Sequence, residues 1–308
     1  MHPMNSSLKS IHKSPLVSVI INCYEGEAFL AKAIDSVLSQ TYQNWEIIFW
    51  DNQSKDNSKK IFCEYNDDRL NYFYAPEHTR LYEARNHAMK KASGKFIAFL
   101  DVDDWWDEDK LEAQVELFND EEVGLVYSNF WLVNEINNKT RIAFKKNLPS
   151  GYVLDEILQN YPIGMLTIMI RKESLDLLDY NFDSRFQMIG DFDLTIRLAV
   201  NSKIASVQRP LAHYRLHDNN MSKKHRKLQN EELEQWFYDF DGINEISNKE
   251  GYKYRKKLLL YFKGIEAINN HKSLEAFNFL LKIPYNLKLK LFILIVTPKK
   301  ILNLFGRG

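Results

Sequence analysis

Cysteine is scarce in this chain: Cys23 and Cys63 are the only two among 308 residues. Two thiols cannot make a disulfide framework, and both lie in segments patterned as ordinary secondary structure, so a reducing compartment is the expected setting. Long apolar runs are lacking too. The block LFILIV, residues 291–296, is far below the ~20 residues that span a bilayer. The run in PLVSVIIN is short, β-branched and without a small-residue cleavage site, which reads as a strand rather than a leader. No membrane-crossing segment is expected, and neither an internal repeat nor a low-complexity linker is visible. What is present is a hydrophobic content of 45%, with 13% aromatic residues, enough to fill the core of one large α/β domain with an appendage.

Formal net charge is zero, but the charge is unevenly spread. From Gly251 to Gly308 there are twelve Lys and Arg against two Glu, a net +10 that leaves −10 on the 250 residues before it. A basic, amphipathic tail such as NLKLKLFILIVTPKKILNLF fits either adsorption to an anionic membrane surface or a helical cap with a solvated basic face. Its basic residues are interleaved with aliphatic rather than aromatic side chains, so nucleic acid is not the expected partner.

Strand and helix patterns alternate along the first half. LVSVIIN, WEIIFW, LNYFYA and KFIAFLD read as strands, separated by segments of helical spacing such as Phe29, Leu30, Ile34, Val37 and Leu38. Such alternation implies right-handed crossovers and a mostly parallel sheet, whose ligands bind beyond the carboxyl ends of the strands. The polar residues at 22–25, 51–54 and 101–104 then meet along one rim.

The stretch IAFLDVDDWW, residues 97–106, crowds three aspartates at the end of an apolar strand. Asp101 and Asp103 leave an extended segment on the same side, and two carboxylates held that close are costly unless a cation or protein donors neutralise them. A hard divalent ion such as Mg²⁺ or Mn²⁺ suits oxygen ligands and keeps positions for substrate phosphates. The alternative is a solvated turn in which Asp104 or Asp107 caps the following helix. An EF-hand is excluded, because Trp105 and Trp106 stand where an oxygen ligand and a glycine are required.

The chain from about Pro15 to Ser222 resembles the inverting glycosyltransferases of family 2, which have the GT-A fold. The resemblance is carried by VSVIINCYEGEAFLAKAIDSVLSQTYQNWEIIFWDNQSKDNS, by ARNHAMKKASGKFIAFLDVDDWWDEDKL and by GDFDLTIRLA. It implies an α/β domain over residues 15–222, between an N-terminal tail (1–14) and a C-terminal helical, basic extension (223–308). Asn22, Tyr24, Glu25 and Asp51 would hold the nucleoside of a UDP-sugar donor. Asn52 and Gln53 stand where the family often has Asp and Gly, and Gln53 removes a permissive turn residue. Arg85 and Asn86 would help seat the donor, with Arg85 pairing Asp101 or a phosphate. Asp101 would contact the ribose or donor sugar, and Asp103 would bind Mn²⁺ or Mg²⁺.

In the same resemblance GDFDL places the catalytic base at Asp191. Gly190 replaces the usual glutamate, and Asp193 is a competing candidate; taken alone, Asp191 near a helix start reads as an N-cap. His217, in a Y-R-x-H element with Arg215 nearby, would reach the metal or the diphosphate, or is an ordinary surface histidine. Trp105, Trp106, Tyr127 and Trp131 are available to stack on acceptor sugars or belong to the core. The implied activity is metal-dependent, inverting transfer from a UDP-sugar to a growing glycan or lipid-linked oligosaccharide in bacterial surface-polysaccharide assembly. The setting would be the cytoplasm, with peripheral membrane contact through the basic tail. The rival readings are a nucleotidyltransferase, for which NCYEGEA offers no basic phosphate-gripping loop, and a non-catalytic binder of glycan or nucleotide that keeps the fold.

Overall fold

The computed structural model describes residues 14–218, 220 and 225–296. The proposed N-terminal tail falls outside them but for residue 14, as do the 222/223 boundary and the end of the basic tail.

Strand β1 (Val17–Cys23) is apolar on both faces and lies in the middle of a parallel group with β2 (Trp45–Asp51), β3 (Leu70–Tyr74) and β4 (Phe96–Phe99). A parallel strand covered on both sides needs that continuous hydrophobicity. Its alternate residues feed two cores. Val17, Val19 and Ile21 pack towards helix α1 (Leu30–Leu38), whose Leu30, Ala33, Ile34 and Val37 recur at helical spacing. Ile20 faces the other way, in one core with Ala84 and Ala88 of helix α3 (Leu81–Met89), which follows the short α2 (Ser58–Cys63).

The sheet then continues through β8 (Met169–Arg171), β6 (Val123–Asn134), β9 (Lys203–Arg215) and β5 (Trp105–Trp106), in the order β3-β2-β1-β4-β8-β6-β9-β5, with β7 (Lys139–Ile142) paired on β6. Among the described strands only β5, β7 and β8 run against the others. The sheet is therefore mostly parallel, as expected. The chain moves outward from β1 to β3 and returns on the far side of β1 as β4, so the order reverses there and opens a crevice at the carboxyl ends of β1 and β4.

Helices α4 (Lys110–Val115), α5 (Leu154–Gln159), α6 (Lys172–Asp176) and α7 (Gly190–Asn201) complete this unit. Among the described residues five helices follow: α8 (Arg226–Phe240), α9 (Asn244–Ser247), α10 (Glu250–Asn269), α11 (Ser273–Leu280) and α12 (Tyr285–Val296). The first of these is no separate appendage, because Trp236, Phe237 and Phe240 are buried in the same core as α3 and α7. The last two close a small core of their own around Leu280, Ile283, Leu287 and Leu291. Gly264 on α10 permits that approach, since a Cβ there would stand 2.7 Å from a methyl of Leu291.

Candidate active site

A cleft of about 550 Å³ opens at the switch between β1 and β4, lined among others by Asn22, Tyr24, Asn52, Asp101, Asp103 and Tyr214. Four of the expected site residues, Asn22, Tyr24, Asp101 and Asp103, thus share one wall. The side-chain amide of Asn22 has neither its oxygen nor its nitrogen partnered within the protein, although both atoms are buried. Buried polar atoms of that kind are satisfied by a ligand or by water. Tyr24 is half-exposed and rests its ring on His78 at 4.4 Å between centroids.

The aspartate turn is locked from two directions. Arg85, buried on α3, pairs with Asp101 at 2.5 Å. From β9, Arg215 donates its backbone N–H to Asp104 Oδ1 at 2.9 Å and its Nε–H to the carbonyl of Asp103 at 2.8 Å. The carboxylates of Asp104 and Asp107 do not cap α4: the first is buried against Arg215, and the second meets His213 Nε2 at 2.8 Å, while only the backbone carbonyl of Asp107 accepts the Lys110 N–H, at 3.2 Å. His217 places Nε2 3.0 Å from Asp103 Oδ2. Burial, with the negative charge of Asp101 next, raises the carboxyl of Asp103 above its ordinary value, while His217 opposes that rise.

Asp103 and His217 therefore converge as one hard and one borderline donor, which fits a divalent cation held by few protein ligands. Among the described residues no group of three or more His, Cys, Asp or Glu is assembled for a metal. A cation here would need its remaining ligands from substrate phosphate and water.

Asp191 lies in the first turn of α7 rather than at its cap, which is Ile189. Its Oδ1 accepts the hydroxyl of Tyr82 at 3.2 Å. Burial raises its carboxyl above the ordinary value, with Arg85 and the Tyr82 hydrogen bond pulling the other way. Asp193 is not equivalent. It is fully buried, with Oδ2 bound by Arg197 and Oδ1 by Trp236 Nε1 at 3.1 Å, so its place is structural. The backbone entering α7 is held by Glu232 of α8, whose carboxylate accepts the N–H groups of Gln187, Met188 and Ile189 at 2.7, 2.8 and 3.2 Å.

Several expected donor contacts are not at the cleft wall. Asp51 is completely buried, its two oxygens accepting from the Ser54 N–H and the Tyr72 hydroxyl at 2.7 Å each. Glu25 turns instead to the N–H of Lys55. Asn86 is bound on both sides to the backbone of Phe182. The turn after β2 nevertheless follows a glycine-like path, since Gln53 adopts φ +70° and anchors its amide on the carbonyls of Ala75 and Pro76. Trp106 and Tyr127 are core residues. Sequence reasoning overlooked His78 and Thr79, although they follow β3 on the same rim, and also Tyr82 and Glu232, which carry no local pattern at all.

Residues 18–178 match the family described as Glycosyl transferase family 2. The chain belongs to glycosyltransferase family 2. This family 2 chain is 33% identical over 192 residues, 62% of its length and 73% of the other, to the UDP-Glc:alpha-D-GlcNAc-diphosphoundecaprenol beta-1,3-glucosyltransferase WfgD of Escherichia coli. It is 31% identical over 211 residues, 68% of its length and 82% of the other, to TuaG of Bacillus subtilis, a glycosyltransferase assigned to teichuronic acid biosynthesis. Among solved structures it is similar to S. aureus TarS in complex with UDP-GlcNAc, with a TM-score of 0.61 at 17% identity over 88% of this chain and 82% of that one. Mannosyltransferase PcManGT from Pyrobaculum calidifontis, in complex with GDP-Man and Mn²⁺, gives 0.61 at 17% identity over 96% and 89%. At such identities the likeness establishes the shared GT-A fold.

Proposed function

We propose that this glycosyltransferase moves a sugar from a UDP-sugar to a lipid-linked saccharide with inversion at the anomeric carbon, aided by a divalent cation. The observation that carries the reading is the unpartnered amide of Asn22 in the same cleft as Asp101 and Asp103. An amide offers a donor and an acceptor side by side, which suits the alternating edge of a nucleobase or the hydroxyls of a ribose. WfgD, named for transfer from UDP-glucose to a diphosphoundecaprenol-linked sugar, supports both the donor and the acceptor class.

In this scheme Asp103 and His217 hold the cation, which when bound would offset charge on the donor diphosphate. Arg85 holds Asp101 in place at the cleft. Asp191 takes the proton from the acceptor hydroxyl; partial burial raises its basicity and so strengthens its pull on that proton. Glu25 and Asp51 act behind the wall, by shaping the turns that carry Tyr24 and Asn52. The enzyme works in the cytoplasm, peripherally at the inner face of the plasma membrane.

Calorimetric titration with UDP, in Mn²⁺ and then in chelator, for the natural protein and Asp103→Ala, tests the donor site. Binding that requires both the metal and Asp103 is expected. UDP binding of equal strength in chelator would remove the cation from the scheme, and no UDP binding in any condition would remove the donor.

A further inference from the structure

Helices α11 and α12 turn one face inward and leave the other bare. On α12, Leu287 and Leu291 pack inward, while Tyr285, Leu289, Phe292, Ile293 and Val296 are all exposed. Their spacing of four, three, one and three residues puts all five on a single stripe of the helix. On the neighbouring segment Leu274, Phe277 and Leu281 form a second exposed stripe, with Leu274 87% and Leu281 77% accessible. Half of the large apolar side chains exposed in the described residues lie between 274 and 296.

The charges beside the α12 stripe are of one sign, and the one carboxylate on α11, Glu275, lies 3.6 Å from Lys272. After Glu275 the chain has six Lys and Arg and no acidic residue. Lys288 and Lys290 flank the α12 stripe on its two sides, and Lys282 sits between the helices, exposed. Apolar side chains in a strip with lysines at its borders match the boundary between acyl chains and anionic headgroups: the strip enters the hydrocarbon edge while the ammonium groups reach the phosphates. The length is wrong for crossing a bilayer, and no helix in the described residues is long and apolar enough to do so.

We infer that the outer face of α11 and α12 is an interfacial binding surface for an anionic lipid bilayer, with α12 lying along the membrane plane. This names the part of the molecule that makes the peripheral contact proposed above. It does not depend on the donor chemistry. The small core of Leu280, Ile283, Leu287 and Leu291 holds both helices on α10, so the surface is built before any membrane is met.

The test is flotation of the full chain with phosphatidylcholine vesicles, with and without phosphatidylglycerol, at low and high salt. The chain is expected to float with the anionic vesicles, to be released by salt, and to stay behind with phosphatidylcholine alone. Leu289→Glu with Phe292→Glu, and separately Lys288→Glu with Lys290→Glu, should each weaken vesicle binding by about tenfold or more, with UDP affinity unchanged. Hydrogen exchange on the unaltered protein supplies a reading free of variants: vesicles should slow exchange across 285–296 and leave α7 untouched. Equal flotation of the variants, unchanged exchange in α12, or failure to float at all would overturn the assignment. So would a self-associated state in sedimentation that Phe292→Glu splits without any vesicle binding, which would give this face to a second copy of the chain. Since UDP affinity is followed separately, loss of the donor site and loss of the membrane face give different results.

Discussion

The ring of Tyr82 fills the space that a side chain on Gly190 would need: a Cβ there would stand 2.6 Å from two ring carbons. The glycine found where the family usually has glutamate is therefore matched by a tyrosine on α3, one turn before Arg85. Gly190→Glu should displace the ring and destabilise the protein by about 1–3 kcal/mol, as overpacking does. Combining it with Tyr82→Ala should recover part of that loss, and urea unfolding of the two single variants and the pair measures the coupling.

The hydroxyl of the same tyrosine reaches Asp191, so Tyr82→Phe removes a donor that favours the charged carboxylate. Arg85 and the backbone N–H of Phe192 also favour the charge of Asp191, and the buried Tyr161 interacts with it electrostatically. A base must be deprotonated to act, and without the hydroxyl it deprotonates at higher pH. The acidic limb of the kcat profile should therefore move to higher pH. An unmoved limb with a uniformly lower rate would mean that Tyr82 serves packing alone.

If Asp191 is the base proposed above, Asp191→Asn should lower kcat by roughly a thousandfold or more while UDP affinity holds, because the change removes a proton acceptor and little volume. Asp193→Asn should show the contrasting pattern. With Arg197 and Trp236 bound to its carboxylate, its loss should lower the unfolding midpoint before it touches the chemistry.

Glu232 accepts three backbone N–H groups ahead of α7. Glu232→Gln leaves one acceptor oxygen where there were two and turns an N–H₂ towards donors. A loss of about 2 kcal/mol is expected, visible in thermal unfolding, together with lower kcat because these N–H groups lead directly into Asp191.

Gln53 pays for a left-handed backbone with two side-chain hydrogen bonds. Gln53→Ala keeps the strain and loses the bonds, whereas Gln53→Gly loses the bonds and the strain together. The glycine variant should be the more stable of the two by about 1 kcal/mol, as read from chemical denaturation. The reverse order would show that the turn has rearranged.

Much of this protein is written in local pattern. Alternating buried strands and amphipathic helices dictate a parallel α/β sheet, because only such a sheet buries strands like VSVIINC on both faces. The placing of Asn22, Asp101 and Asp103 on one rim follows from the same rule, since residues after parallel strands must gather at one edge. Chain spacing also gives away the amphipathic α12, whose stripe is a property of a single helix. Local pattern is silent where the partner is far along the chain. Nothing near Asp51 tells that the Tyr72 hydroxyl takes up its second oxygen, and nothing near Gly190 tells that Tyr82 fills the gap. Glu232, 43 to 45 residues beyond the backbone it holds, sits in a helix that reads as an appendage until packing shows it to be part of the core. Periodicity records which face of an element is buried; which side chain meets which across two elements is decided only when they pack, because hydrogen bonds and excluded volume act between neighbours in space.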